Sequence, residues 1–255
     1  MSVEQLSEAV AIGRRWHEAR LVTTAPLVPG LCEITIDVEA WPGHLAGQHV
    51  DIRVPGAGRW DRAHSYSIAN APGTGGTPAT WLRLAVPAEL RDHLMQGARL
   101  EVDGPKGHRM AWQPEQTGDR PLLLIGGGSG IVPLLAIACA WAARPGPAPL
   151  RLIHSVRSRR QQPYNEEIAL LEIECGARVT SVITRASALS RGETRGRISR
   201  RDLELFGFPA ASNPECFVCG SGSFVESVAE MLSECGHPAS AIRTEWAIGS
   251  IGAAA

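Results

Sequence analysis

Five consecutive small residues, Gly126-Gly127-Gly128-Ser129-Gly130, join a short apolar run (residues 122–125) to a longer one (residues 131–143). No other stretch restricts the fold as tightly. Four apolar residues suit a buried strand, and the longer run suits a helix that stops before Pro145-Gly146-Pro147, so the glycines form a strand-to-helix turn. The same alternation continues downstream. Strands are expected at residues 150–155, 178–184, 216–219 and 242–246. Helices are expected over residues 164–171, behind a capping box at Ser199-Arg200-Arg201-Asp202, and behind a second at Ser223-Phe224-Val225-Glu226, the last running to Gly236. Repeated units of this kind make a five-stranded parallel, doubly wound sheet, which takes ligands beyond the carboxyl ends of its strands.

Upstream the pattern changes. Short alternating segments (residues 31–38, 49–54, 65–69, 81–86 and 99–102) are separated by Gly and Pro clusters. Val50, Ile52 and Val54 alternate with Asp51 and Arg53, a period of two with one wet face. This is the signature of an antiparallel β-barrel. Residues 113–120 carry no periodicity, so the expected division is an extension (1–14), a barrel domain (15–117) and an α/β domain (118–255), and 255 residues suit two domains.

Charge and cysteine content exclude several classes. Twenty-five basic against 26 acidic residues give a net charge of −1, which offers no general attraction to nucleic acid or an anionic membrane. Only Lys106 is a lysine, so arginine counts carry little weight by themselves. No apolar run is long enough to span a bilayer, and the first residues lack the apolar core of a secretory leader, so a cytoplasmic protein is expected. The six cysteines have neither a disulfide framework nor iron-sulfur spacing. Cys216 and Cys219, three apart on one strand, point to opposite faces and cannot converge on a metal, so no metal site is expected.

The glycine loop allows two readings: a cradle whose backbone N–H groups meet a pyrophosphate, or a tight turn without a ligand. Its spacing is not G-x-G-x-x-G, because Ile131 stands in the third glycine's place, and no G-K-[ST] follows. Three further motifs narrow the choice. His64-Ser65-Tyr66-Ser67-Ile68 follows Gly47-Gln48-His49-Val50-Asp51, Gly104-Pro105-Lys106-Gly107 comes next, and Cys219-Gly220 lies beyond the glycine loop. Together they resemble the ferredoxin-NADP reductase superfamily, whose flavin barrel carries R-x-Y-S and G-P-x-G and whose nucleotide domain carries G-G-G-[ST]-G and a later C-G. The resemblance covers residues 16–249 and is nearest to the oxygenase-reductase branch.

It implies a flavoprotein oxidoreductase that takes hydride from NADPH, or NADH in its place, onto FAD, or FMN in its place. Electrons would then leave for a separate protein such as a ferredoxin or an oxygenase component, since no cluster domain accompanies the motifs. On this likeness Tyr66, Ser67 and Cys219 form the reaction zone, with Glu245 at its border. Arg62, His64, Ser65, Ile68, Gly104, Lys106 and Gly107 would bind cofactor on the barrel side. Gly127, Gly128, Ser129, Gly130 and Gly220 would do so on the other, with Ser155, Arg157 and Tyr164 at the adenosine end. No acid follows the strand at 150–155, so Arg157, Arg159 and Arg160 suit a 2′-phosphate, a solvated arginine loop being the alternative.

Two departures from the pattern stand out. His64 occupies the arginine's place with Arg62 two residues away, and the G-x-x-S segment that meets the FAD pyrophosphate is replaced by Val86-Pro87-Ala88-Glu89-Leu90. They leave room for FMN or loosely held FAD and for a non-catalytic binding module, while a free flavin reductase or oxidase is the alternative to a protein acceptor.

Overall fold

The computed structural model describes residues 16–73, 78–94 and 98–247, so the expected extension at residues 1–14 lies outside the described residues. Six strands, β1 (His17–Val28), β2 (Leu31–Val38), β3 (His49–Arg53), β4 (His64–Ser67), β5 (Trp81–Pro87) and β6 (Arg99–Lys106), form an antiparallel sheet in the order β4-β3-β6-β1-β2-β5. Its two ends meet. The Ala69 amide donates to the Arg83 carbonyl at 2.8 Å and Ile68 bridges Leu84, so the sheet closes into the expected barrel and loses its open edges. Inward residues such as Ile34, Ile36, Val50, Ile52 and Leu84 fill the interior. β1 was not legible in the sequence, because only Ala19 and Leu21 of its twelve residues are buried and the period of two never develops.

The second sheet contains β7 (Leu122–Gly127), β8 (Leu150–Val156), β9 (Arg178–Ile183), β10 (Glu193–Arg195), β11 (Glu215–Gly220) and β12 (Ile242–Trp246) in the order β10-β9-β8-β7-β11-β12, all parallel. Six strands replace the expected five. The additional strand, β10, is a three-residue edge, too short to show a pattern. Helices α1 (Ile131–Ala142), α2 (Asn165–Cys175), α3 (Arg200–Phe206) and α4 (Gly222–Glu234) connect them. The capping box at Ser199 and Asp202 is present in both halves. The one expected at Ser223 is not: α4 starts at Gly222 behind Ser221, whose side chain makes no cap, and Ser223 lies exposed inside the helix. Cys216 and Cys219 pack into different cores on opposite sides of the sheet, as their spacing implies.

α1 is apolar on every side because it is covered on every side. The sheet lies against one flank, and Ala46, Ala69, Met110 and Trp112 of the barrel half lie in the same core. Gly47, at φ +92°, allows this approach: a Cβ there would stand 2.1 Å from the Met110 carbonyl oxygen and 3.1 Å from Ile137 Cδ1. Arg83 of β5 adds an ionic tie, reaching Glu167 of α2 at 2.8 Å and Glu33 of β2 at 2.9 Å. The halves therefore share one packed interface. Strand order reverses at β7, with β8 on one side and β11 on the other, which puts the ligand crevice of this fold where Gly126-Gly127 and Cys219-Gly220 end their strands.

Candidate functional site

A cleft of about 800 Å³ opens above that reversal point. Its floor is Gly127, Gly128 and Ser129, its far wall holds Ser155, Arg157, Arg185 and Arg197, and the β1–β2 turn at Pro29 and Gly30 closes it from the barrel side. Each loop glycine has its own reason. Gly128 takes φ +56°, open to side chains only with strain. A Cβ on Gly127 or Gly220 would meet the Phe224 ring at 2.8 or 2.6 Å, and one on Gly130 would stand 2.2 Å from the Cys219 carbonyl oxygen. Gly130 and Gly220 are buried, and they permit the close approach of β11 to the loop.

Below the loop, His154 of β8 donates from Nε2 to the Gly128 carbonyl at 2.9 Å. It is fully buried, and burial drives its pKa down to about 4, so the ring is neutral and props up the turn.

The arginines differ from the expectation. Arg157, Arg185 and Arg197 line the cleft, and no carboxylate among the described residues pairs with them. Arg159 is tied to the Glu193 carboxylate and to the Ala188 carbonyl at 2.8 Å, so it is not free for a phosphate, and Arg160 does not line the cleft. Arg185 was missed, although its place just after β9 is where a ligand contact belongs in such a sheet. Arg197 follows β10, which the sequence pattern did not disclose. Tyr164 is a correction. It sits at φ +59° with its ring buried under the Arg83 guanidinium, 5.6 Å from the ring centre, so it belongs to the interface and not to the cleft.

At the barrel end, Tyr66 and Ser67 form a crevice with Ser129 and Val132. Leu31, Ser129 and Ala247 line both spaces, so crevice and cleft are one groove. The crevice has room for roughly one water, at about 20 Å³. Most of the Tyr66 ring is packed in the barrel core, where burial pushes its phenol pKa up. Ile68 is wholly buried and offers only backbone. His64 donates to the Arg59 carbonyl at 3.0 Å and lies 4.9 Å from the Trp60 ring, turned toward the 58–61 turn, while Arg62 is exposed. Arg59, another residue missed, bonds Glu89 at 2.5 Å and is the strongest charge felt by Tyr66.

Ser65 and Lys106 are occupied within the barrel wall. Both bond the Asp51 carboxylate, and Lys106 also reaches Asp103 at 2.7 Å. Burial alone would raise the Asp51 pKa, but these bonds outweigh it and hold the carboxyl below its ordinary value. Gly104 is a packing glycine, its Cβ position 2.9 Å from Val50.

Cys219 is also a correction. It is 1% exposed and packed in the core with α1, where burial and the nearby Glu245 charge push its thiol pKa up, so its side chain does not line the groove.

The nucleotide end fits a dinucleotide: a positive-φ glycine turn, open space above it and, in one wall, three arginines without a carboxylate partner among the described residues. The barrel end fits a flavin in kind, through the Tyr66 ring and a Ser67 hydroxyl without a partner among the described residues. Its crevice must widen to take the ring.

Residues 124–230 match the family described as the oxidoreductase NAD-binding domain. The match covers less than half of the chain, and the fold of the described residues is the one found in solved ferredoxin reductases. The ferredoxin reductase component of 3-ketosteroid-9-alpha-monooxygenase from Rhodococcus rhodochrous is 28% identical over 203 residues, 78% of this chain and 54% of that protein. Flavohemoprotein A of Dictyostelium discoideum is 27% identical over 216 residues, 76% and 50% of the two chains. The crystal structure of an Amycolatopsis cytochrome P450 reductase superimposes with a TM-score of 0.77 at 24% identity, covering 91% of this chain and 69% of the other. The chain spans about half the length of the curated relatives it matches. No helix among the described residues is long and apolar enough to cross a membrane.

Proposed function

We propose that the protein is an NAD(P)H-dependent flavoprotein reductase that supplies electrons to a separate protein acceptor, such as a ferredoxin or an oxygenase component. The observation that carries this reading is the single groove running from Arg157, Arg185 and Arg197, across the glycine loop, to Tyr66 and Ser67. The two working units divide at residues 117 and 118, the barrel half taking the flavin and the other half the nicotinamide dinucleotide. A bound flavin supplies the conversion between a hydride pair and single electrons.

The chain's residues do the remaining work. The glycine loop receives the pyrophosphate on backbone N–H groups, and the three arginines hold a 2′-phosphate, which favours NADPH over NADH. Ser67 presents its hydroxyl to the ring, and α1 and the barrel keep water from beneath the reacting face. FAD is preferred to FMN, as in the flavohemoglobin of Malassezia yamatoensis, whose crystal structure has bound FAD. Relatives named as ferredoxin reductase components support the protein acceptor. The six free thiols suit a reducing compartment, the cytoplasm.

The narrow crevice and the turned-away His64 favour a second reading, in which flavin is a diffusible substrate of a free flavin reductase. Titrating the purified protein with FAD and with FMN, then following NADPH oxidation with ferredoxin, free flavin or oxygen as acceptor, tests both. Tight FAD binding with fastest turnover on a ferredoxin is expected. Turnover fastest on free flavin moves the assignment to the second reading, and failure to bind either flavin removes both.

A further inference from the structure

His49, the first residue of β3, lines neither the cleft nor the crevice. It stands directly opposite Ser67 in the β3–β4 ladder and opposite Lys106 in the β3–β6 ladder. Opposed residues of an antiparallel pair share a face, so His49 and Ser67 both look away from the barrel core, toward the α/β half. There His49 meets Glu245 of β12, with Nδ1 3.0 Å from the carboxylate, and both side chains are about five-sixths covered, at 16% and 15% exposure. The carboxylate lies off the N–H direction, so the contact is a close approach of ring and carboxylate rather than an aligned hydrogen bond. Nδ1 is shut off from water and finds no other acceptor among the described residues, which makes Glu245 the group that answers it.

Gly107 shows that the meeting is built in. It lies at φ +88°, and a Cβ there would stand 2.7 Å from His49 Nδ1 and 3.7 Å from a Glu245 oxygen. Any other residue at the end of the Gly104-Pro105-Lys106-Gly107 turn would push into the imidazole. On the far side, Glu245 is the register partner of Cys219, and its charge raises that thiol's pKa. A continuous line therefore runs from Ser67 through His49 and Glu245 to Cys219, from the barrel motif to the C-G motif. Asp51 and the Lys106 ammonium are the other charges beside it on the barrel side.

We propose that His49 is a positioning residue: it holds the Glu245 carboxylate across the domain interface, beside Ser67, where the flavin and nicotinamide sites meet. Without His49 the carboxylate on the edge strand β12 has no partner from the barrel, and both its place and the register of the two halves loosen. The inference rests on the proposed reductase function. A displaced carboxylate at such a junction slows the chemical step while leaving the arginine end of the groove, and so dinucleotide affinity, nearly untouched.

The test compares wild type with His49→Ala and His49→Asn, whose amide nitrogen falls near the place of Nδ1. For FAD-loaded protein, His49→Ala is expected to lower kcat with NADPH about ten- to a hundredfold with KM changed less than about twofold, and His49→Asn to recover most of the loss. In flavin-free protein, amide hydrogen exchange across residues 242–246 is expected to quicken in His49→Ala and to stay near wild type in His49→Asn. An unchanged kcat in His49→Ala, a loss confined to KM, or unaltered exchange on β12 would overturn the proposal. If wild-type protein reduces no flavin, the reductase reading falls, while the exchange comparison still decides whether His49 holds β12.

Discussion

His154 lends itself to a quantitative test because its burial is complete and its single bond is to the loop that matters. The ring is lowered from an ordinary pKa of 6.5 to about 4 by burial, only partly offset by its bond to the Gly128 carbonyl. A depressed histidine contributes stability that is fully present above pH 6.5 and is lost as pH falls toward 4, because the unfolded chain takes up the proton first. A displacement of this size corresponds to roughly 3 kcal/mol, most of it lost between pH 7 and pH 4.5. That is a large fraction of the 5–15 kcal/mol that holds a typical domain together.

The comparison that isolates the effect is His154→Gln, whose amide can still donate to Gly128 but does not titrate. Urea unfolding at pH 7 and pH 4.5 should show wild type losing about 2–3 kcal/mol more than the variant over that interval. Parallel pH dependence in the two proteins would refute the reasoning, since it would mean that His154 takes up its proton in the folded state as easily as in the unfolded one. The same buried nitrogen supports the loop, so NADP+ affinity should also weaken in His154→Ala at pH 7 while His154→Gln retains it.

Gly130→Ala should cost more than about 2 kcal/mol in thermal or urea unfolding, because its Cβ would collide with the Cys219 carbonyl backbone, which cannot swing aside as a side chain can. Gly128→Ala meets nothing within 4 Å and should cost only the strain of a positive φ, about 1 kcal/mol, so equal losses in the two variants would contradict the packing account. Arg185→Ala and Arg157→Ala should each raise KM for NADPH about tenfold or more while leaving KM for NADH within about twofold. Equal effects on the two dinucleotides would show that these arginines do not meet a 2′-phosphate.

Local signals determined a great deal from sequence alone. The glycine turn between two apolar runs, the period-two segments upstream and the Ser199 capping box each depend on a few neighbouring residues, and each led to the right kind of element. β1 and β10 escaped because one is mostly exposed and the other is three residues long, leaving no periodicity to read. What only the tertiary structure decided is which chemical groups face one another. Tyr164 and Cys219 sit in recognisable motifs, yet burial removes both from the groove. Arg159 and Arg185 are indistinguishable as letters, but a carboxylate from residue 193 claims the first and leaves the second open to the cleft. His49 and Glu245 are 196 positions apart in the chain, and no spacing rule couples them. Their contact exists because a barrel strand and the edge of a parallel sheet are docked through α1, and a glycine leaves room for it.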